Sequence, residues 1–313
     1  MQARDLVFVA GGESTIGKAV VRAFGRAGWT TIHAPSREEL QLTDSGAVDA
    51  WLASHQPGIV VVVAGRSGGI GLNRRVPAEL MLDNLRVVTN IIDAAARYGA
   101  ERLLYLASSC CYPKDCPQPM RPEHLGSGPL ESTSEAYATA KIAGIRLCQA
   151  LRAERSSAFI AGIPADVFGP DSSFDPEDSH VIPALIARFH TAKREGLPEV
   201  TLWGSGAPRR EFLFADDLGD ACVAVIRGYN ESPPINLGGG VELSIREVAG
   251  MIAEVVGYRG RLAFDTSRPD GMPRKLLDSS VLLGLGWRPV TPFRTALEAT
   301  HRAFLTRQET SGG

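Results

Sequence analysis

Three side chains in the middle of this sequence have the types and the spacing needed to reduce a carbonyl group. Tyr137 and Lys141 are four residues apart, so both side chains lie on the same side of a helix. Ser108 follows an apolar run that predicts a buried parallel strand, and such strands present ligand-binding residues at their carboxyl ends. A phenol whose pKa is lowered by a nearby ammonium can protonate a carbonyl oxygen, which a serine hydroxyl polarises. A Tyr and a Lys at this spacing also occur by chance, so the interpretation depends on the rest of the chain.

The amino-terminal segment predicts the strand, glycine turn and helix that bind a dinucleotide. Gly11 permits the tight turn after the strand, and Gly17 permits close packing of the helix on that strand. The free amide groups of the first helical turn can then hold a pyrophosphate. The residues predicted to bind the cofactor are Gly11, Gly12, Ser14, Thr15, Ile16, Gly17, Arg37, Ala64, Tyr137 and Lys141.

Arg37 follows the second predicted strand, where the cofactor's ribose would lie. A carboxylate at this place would bind the ribose 2′-hydroxyl of NAD, whereas an arginine suits the 2′-phosphate of NADP. Arg37 therefore favours NADP(H), although it could also be an ordinary surface arginine.

Strands and helices alternate along the first half of the chain, which predicts an α/β fold built on a doubly wound parallel Rossmann sheet. After residue 170 the pattern changes, and we expect a smaller α/β lobe that binds substrate. The predicted boundaries are residues 1–170 with about 211–242 for the Rossmann domain, about 171–210 with 243–310 for the substrate lobe, and 308–313 for a disordered tail.

Composition excludes several classes of function. The 313 residues carry a net charge of −2, which gives no field suited to nucleic acid or to an anionic membrane. No apolar run is long enough to span a membrane, and a strand is predicted almost at the first residue, so we expect a cytoplasmic protein without a signal peptide. The five cysteines, an odd number, predict neither a disulfide framework nor a metal site.

Several longer segments resemble the extended short-chain dehydrogenase/reductase family. Residues 210–217 and 235–238 are similar to the family's downstream signatures, and residues 108–114, 179–185, 203–206 and 269–278 are similar to its nucleotide-sugar epimerase–reductases. The resemblance covers almost the whole chain. It implies that the protein epimerises GDP-4-keto-6-deoxy-D-mannose at C3 and C5 and then reduces C4 with NADPH, which gives GDP-L-fucose. It also implies a homodimer that pairs the helices around residues 84–98 and 137–153.

The resemblance gives roles to two further residues. Inverting a carbon beside a ketone needs a base on one face and an acid on the other, and a thiol and an imidazole can be tuned for both tasks. By resemblance Cys110 removes the protons, His180 returns them, and the Ser108 group stabilises the enolate. Without the resemblance, Cys110 could be a small buried residue and His180 a helix cap. We expect Cys110 rather than Cys111 to face the site, because in an extended segment Cys110 and Ser108 share a face.

The family pattern also implies a set of residues that hold the GDP-sugar. A nucleotide diphosphate needs fixed cations, and arginine matches phosphate geometry best. Each of these positions could instead be an ordinary solvated side chain. The predicted substrate-binding residues are Arg188, Trp203, Arg210 and Lys275.

Four positions depart from the family pattern and leave alternatives open. Ser14 replaces a glycine of the phosphate turn, which would also fit a dinucleotide-binding sensor without catalysis. Glu13 stands where a basic residue is common and would repel a 2′-phosphate. Asp166 and Phe168 adjoin the expected cleft, so the substrate could be another GDP-ketosugar, such as a colitose or heptose precursor.

Overall fold

The computed structural model describes residues 6–175, 178–268 and 270–311, which form twelve strands and ten α-helices. The strands are β1 (Val7–Ala10), β2 (Ile32–His33), β3 (Ile59–Val62), β4 (Arg102–Leu106), β5 (Ala158–Pro164), β6 (Asp166–Phe168), β7 (Glu199–Trp203), β8 (Arg209–Phe214), β9 (Ile235–Leu237), β10 (Val241–Ser244), β11 (Arg261–Asp265) and β12 (Arg274–Lys275). The helices are α1 (Thr15–Arg26), α2 (Ser45–His55), α3 (Ile70–Arg75), α4 (Pro77–Arg97), α5 (Glu135–Arg155), α6 (Val181–Arg194), α7 (Ala215–Gly228), α8 (Ile245–Val256), α9 (Ser280–Gly284) and α10 (Phe293–Ser311).

The main sheet has six parallel strands in the order β2-β1-β3-β4-β5-β9. β1 and β4 are almost wholly buried, as expected for apolar strands covered on both faces. Helix α1 packs against α7, whereas α4 packs against α2 and α5, so two helical layers cover the sheet. The predicted doubly wound fold is confirmed. The direction of winding changes between β1 and β3, which is where such sheets bind ligands.

The strands that follow β5 in the chain, apart from β9, form smaller sheets. Strand β8 pairs with β6 and β12 in parallel and with β10 in antiparallel orientation, and β7 pairs separately with β11. A core of its own, with Phe212, Ile186 and Ile252 fully buried, joins these strands to α6, α8 and α10. The chain segment predicted to return to the main sheet does so through α7 and β9, but β8 belongs to the smaller sheet. The division into two domains at the stated boundaries stays a prediction.

Three local predictions differ from the structure. Helix α4 begins at Pro77, not at residue 84, because proline is well suited to the first helical turn, where its missing N–H is not needed. Residues Ser109–Cys111 form a 3₁₀ turn and not an extended segment. Helix α10 continues to Ser311, so residues 308–311 of the predicted tail are helical, and residues 312–313 lie outside the described part of the chain.

Candidate active site

The glycine turn after β1 is held by hydrogen bonds within the turn. Gly11 has a φ of +90°, which favours glycine, but Ser14 has an ordinary φ of −71°. Ser14 is the N-cap of α1: its hydroxyl accepts from the Gly17 N–H at 3.0 Å and donates to the Gly11 carbonyl at 2.8 Å. The departure at Ser14 is therefore compatible with the turn, because its hydroxyl caps the helix.

The same turn lies against the end of β3 and fits a dinucleotide. A side chain on Gly11 would clash with the backbone of Ala64, 2.8 Å from its Cβ. Thr15 and Ile16, in the first turn of α1, are half-buried, and their amide groups are free of helical partners. The predicted cofactor residues of β1, α1 and β3 are therefore together at the point where the sheet changes direction, and they can hold a pyrophosphate there.

Arg37 lies beside this turn, but its contact was not predicted. The Arg37 side chain is exposed, and its backbone N–H donates to the Glu13 carboxylate at 2.9 Å. The Glu13 carboxylate thus already accepts the hydrogen bond of the Arg37 amide, which lies next to the predicted 2′-phosphate site.

The three residues predicted to handle the carbonyl lie together. Ser108 lies two residues past the end of β4, and Tyr137 and Lys141 lie one turn apart on α5, where the Lys141 Nζ is 5.8 Å from the centre of the Tyr137 ring. Lys141 is buried and donates to the Leu106 carbonyl at 3.2 Å, which fixes it below the end of β4.

Burial is the largest influence on the pKa values of Tyr137 and Lys141. It lowers the pKa of Lys141 to about 8 and raises the pKa of Tyr137 well above its usual value, while the Ser108 side chain acts in the lowering direction on Tyr137. We expected Lys141 to lower the Tyr137 pKa, and in this structure burial outweighs any such effect. At pH 7 Tyr137 therefore carries its proton, and Lys141 is still mostly the ammonium, although it loses its charge more easily than an exposed lysine.

Cys110, not Cys111, is the cysteine that faces the site. Cys111 is fully buried, which raises its pKa to about 12, and its thiol points at the Ala138 carbonyl. Cys110 is partly exposed, and its Sγ lies 3.8 Å from the Lys275 Nζ. Its N–H donates to the Ser108 hydroxyl at 3.2 Å. The reason given for preferring Cys110 was wrong, because a 3₁₀ turn and not an extended strand presents its thiol, and its role as the base stays a prediction.

Four polar or charged side chains lie around the Cys110 thiol. Together with Cys110 we call them the Lys275 cluster: Cys110, Asp166, His180, Arg210 and Lys275. The Lys275 Nζ pairs with the Asp166 carboxylate at 3.3 Å. Burial alone would raise the pKa of Asp166, but Lys275, Arg210 and His180 hold it below its usual range. Burial opposes the charge on Lys275, but Asp166 and Cys110 outweigh it and raise its pKa. Lys275 is therefore a permanent ammonium between a carboxylate and a thiol.

His180 is at the N-cap of α6 but does not act as a cap. Its side chain makes no capping hydrogen bond, and although part of its surface is exposed, it lies close enough to Asp166 and Lys275 to be affected by their charges. Burial by surrounding protein lowers its pKa below the usual value, while Asp166 acts to raise it and Lys275 to lower it. Burial thus opposes the protonated form of the ring, and the Asp166 carboxylate favours it, so the imidazole can exchange a proton with a bound ligand.

The other predicted substrate residues are positioned differently. The Arg210 guanidinium donates to the Met272 carbonyl at 2.6 Å, which fixes it in the cluster, and burial lowers its pKa. Trp203 is 65% exposed at the end of β7, with the Arg268 guanidinium 5.1 Å above its ring. Arg188 is exposed on α6. Within the described residues neither Trp203 nor Arg188 is bonded to the cluster.

Two residues of the site were not assigned by sequence reasoning. Asp166 was noted only as a departure, because its partners Lys275 and Arg210 are distant in sequence. Asn84 was counted only as the start of a helix, yet it is buried inside α4, and its Oδ1 has no hydrogen-bond partner among the described residues. A side chain on Gly65 would contact that oxygen and the Lys141 ammonium, so Asn84 and Lys141 line one gap. An asparagine in an otherwise apolar helical stripe was the available signal.

The described residues contain neither a metal-binding group nor a membrane-spanning helix. No group of three or more His, Cys, Asp or Glu side chains there could hold a metal ion. No helix in the described part of the chain is long and apolar enough to cross a membrane.

Comparison with known proteins identifies the family. Residues 7–238 match the NAD dependent epimerase/dehydratase family. The chain belongs to that family. Its curated relatives include a putative GDP-L-fucose synthase 2 of Arabidopsis thaliana, 45% identical over 96% of this chain and 91% of the relative. The GDP-L-fucose synthase of Escherichia coli strain K12 is 42% identical over 98% of both chains. The predicted family resemblance is confirmed.

Solved structures of related enzymes have the same fold. A GDP-6-OMe-4-keto-L-xylo-heptose reductase from C. jejuni superimposes with a TM-score of 0.91 at 27% identity, over 98% of this chain and 99% of that one. A GDP-L-fucose synthetase from Naegleria fowleri, solved with NADP bound, gives a TM-score of 0.86 at 27% identity, over 97% of this chain and 95% of that one.

Proposed function

We propose that this protein is a bifunctional epimerase–reductase that converts GDP-4-keto-6-deoxy-D-mannose to GDP-L-fucose with NADPH. The observation that carries the proposal is the contact between two sets of groups. Ser108, Tyr137 and Lys141 suit carbonyl reduction, and Cys110, bonded to Ser108 through its N–H, brings a thiol and the Lys275 cluster to the same place. A simple reductase has no use for the second set. The close relationship to curated GDP-L-fucose synthases supports the same reaction.

The first half of the reaction moves protons and changes no oxidation state. Cys110, as the thiolate, removes the proton from C3 or C5, and the electron pair of that C–H bond forms an enolate with the C4 carbonyl. The Tyr137 and Ser108 hydroxyls donate hydrogen bonds to the enolate oxygen. His180 then gives a proton to the opposite face of the same carbon, and solvent restores the protonation of Cys110 and His180. The Lys275 ammonium lies 3.8 Å from the Cys110 sulfur, where it can stabilise negative charge that develops during proton transfer.

The second half of the reaction reduces C4. NADPH, bound at the glycine turn, supplies the hydride. Tyr137 gives its proton to the C4 oxygen, and the Lys141 ammonium stabilises the phenolate that remains. The buried position of Lys141 keeps water away from this step.

Substrate binding divides between charged and aromatic groups. Arg210 and Lys275 belong to the Lys275 cluster and suit the sugar and the diphosphate, since both are partly buried cations held by protein partners. Arg188 would add a charge at the rim. Trp203 presents an exposed aromatic face that suits a purine base.

A second candidate substrate is another GDP-ketosugar. Asp166 places a carboxylate in the cleft, which changes the groups available to the sugar, and the GDP-L-colitose synthase of Yersinia pseudotuberculosis is 36% identical over 88% of this chain and 90% of its own. A panel of GDP-ketosugars separates the two: an equal or better kcat/KM on the fucose precursor rejects this second candidate.

We also propose a cytoplasmic homodimer. The described cysteines are all free thiols, which persist in a reducing compartment. Pairing of α4 and α5 with the same helices of a second chain is the expected dimer contact, and it is tested below.

The deciding experiment follows NADPH consumption with enzymatically made GDP-4-keto-6-deoxy-D-mannose and determines the product's configuration by NMR. Oxidation with inversion at C3 and C5 is expected. Oxidation without inversion would indicate a C4 reductase and remove the proposed roles of Cys110 and His180. No turnover with any GDP-ketosugar would favour a non-catalytic sensor, whereas turnover that is abolished in Tyr137→Phe excludes that sensor.

A further inference from the structure

The ribose end of the cofactor site is formed by two segments in contact. A side chain on Gly12, in the turn after β1, would clash with Ala34, in the segment after β2. A dinucleotide whose pyrophosphate lies on the turn must therefore place its adenosine ribose over residues 34–37. The groups in this short segment decide whether a 2′-hydroxyl or a 2′-phosphate is accepted.

Two carboxylates already occupy the amide groups of that segment. The Arg37 N–H donates to Glu13 Oε2 at 2.9 Å, and the Ser36 N–H donates to Glu39 Oε2 at 2.7 Å. Backbone N–H groups of this kind are the donors that phosphate oxygens need, and here both are satisfied by anions. The exposed Arg37 guanidinium is the remaining cation of the segment.

The charges act in opposite directions on the two cofactors. A 2′-phosphate carries up to two negative charges and must displace or approach the Glu13 carboxylate, which costs binding energy. A 2′-hydroxyl can donate a hydrogen bond to the same carboxylate, as acidic groups do in NAD-binding folds. Arg37 attracts the 2′-phosphate and partly offsets the repulsion.

We infer that Glu13 is a specificity-determining residue that makes this protein accept NADH nearly as well as NADPH. The inference concerns only the ribose end of the site, and it rests on the proposed function for the presence of a nicotinamide cofactor. It predicts that affinities for the two cofactors lie within about tenfold of each other, a difference of ~1.4 kcal/mol.

Binding of cofactor fragments tests this without turnover. ADP-ribose and 2′-phospho-ADP-ribose contain the discriminating group and no nicotinamide, and calorimetric titration measures the dissociation constant of each. Wild-type protein is expected to bind the two within about tenfold. Glu13→Gln should tighten only the phosphorylated ligand, by about tenfold, and Glu13→Arg by about a hundredfold, because each step makes the site more positive.

Two further variants control the result. Glu38→Gln removes one charge from the same loop, and in the described structure its carboxylate does not bond the Arg37 amide, so the ratio of the two dissociation constants should change by less than threefold. Arg37→Gln should weaken the phosphorylated ligand by more than tenfold and leave ADP-ribose unchanged, which tests the site even if a Glu13 variant fails to fold.

The inference is overturned if wild-type protein prefers 2′-phospho-ADP-ribose by more than a hundredfold, or if Glu13→Arg leaves the ratio unchanged. Failure of the proposed function is a separate outcome: the fragment ratios would hold while no GDP-ketosugar is turned over with NADPH or with NADH.

Discussion

Lys275 connects the substrate cleft to the thiol that is proposed to move the sugar's protons. Its ammonium lies 3.8 Å from Cys110 Sγ and 3.3 Å from the Asp166 carboxylate. Lys275→Met removes the cation but keeps the length of the side chain. We expect exchange of the C3 and C5 protons to fall by about a hundredfold or more, the usual loss when acid–base chemistry is disabled. Deuterium incorporation in D₂O without NADPH measures this step separately from reduction.

A neighbouring variant provides the control for Lys275. Arg274 is exposed and pairs with Glu242, away from the thiol, so Arg274→Met should exchange protons at nearly the wild-type rate. If Lys275→Met raises KM but leaves the rate of exchange at saturation unchanged, Lys275 only binds substrate and does not act on Cys110.

Lys141 illustrates a conflict between stability and catalysis. Burial lowers its pKa from 10.5 to about 8, so at pH 7 the folded protein holds an unfavourable buried charge. Between about pH 8 and 10.5 the unfolded chain binds more protons than the folded one, so this residue makes stability increase with pH across that window. The cost at pH 7 is about 3 kcal/mol, and the hydrogen bond to Leu106 offsets about 1 kcal/mol of it.

Lys141→Met is therefore expected to raise the stability of the cofactor-free protein by about 2 kcal/mol at pH 7 while lowering kcat for reduction by about a hundredfold or more. Urea unfolding at several pH values measures the gain, which should shrink toward pH 10. Lys193→Met is the comparison, since that ammonium also donates to a carbonyl, Val256, but lies at the surface. A stability gain that does not depend on pH would contradict the electrostatic explanation.

At the scale of elements, apolar strands and the turn chemistry of glycine were predictable from local sequence. β1 and β4 are short apolar runs, and the cap at Ser14 follows from the preference of serine for N-cap positions. The start of α4 was missed because its first two turns mix polar and apolar residues. The 3₁₀ turn at Ser109–Cys111 was missed because local sequence does not distinguish it from an extended segment.

The N-cap of α1 gives a test at the element scale. Ser14→Ala removes both hydrogen bonds of the hydroxyl, to the Gly17 N–H and the Gly11 carbonyl, so stability should fall by about 1 kcal/mol. Because the same bonds hold the phosphate turn, we also expect ADP-ribose to bind several-fold more weakly. Thermal unfolding and calorimetric titration measure the two effects.

Asp44→Ala is the matched control for this test. Asp44 caps α2 by accepting from the Ala47 N–H at 3.1 Å, away from the glycine turn. Asp44→Ala should lower the free energy of unfolding by about as much as Ser14→Ala does, and it should leave the affinity for ADP-ribose unchanged. Equal weakening of binding in both variants would mean that Ser14 acts only through overall stability.

At the scale of the whole molecule, the site draws its residues from both sheets. Ser108 and Lys141 belong to the main sheet and its helices, whereas Asp166, Arg210 and Lys275 lie on β6, β8 and β12 of the smaller sheet. Cys110 and Lys275 are 165 residues apart in sequence, so no local pattern could predict their contact. The resemblance to a family supplied the roles of Cys110 and His180, but the pairing of Asp166 with Lys275 became visible only in the folded chain.

The proposed dimer is tested on the surface of α4. Leu82 lies in the first half of that helix with half of its surface exposed, so it is available to a partner. Helices α4 and α5 have 21 residues each, so each is about 30 Å long and can form a substantial four-helix contact with its copy. Leu82→Arg would place a charge within that proposed contact, and an unpaired buried charge is costly.

We therefore expect wild-type protein to be a dimer at micromolar concentration in light scattering, and Leu82→Arg to be a folded monomer. Val281→Arg is the matched control: Val281 is 52% exposed on α9, outside the proposed contact, so that variant should remain a dimer. Wild-type protein that scatters as a monomer would overturn the dimer. Monomeric Leu82→Arg that keeps full activity would mean that the dimer does not support the site.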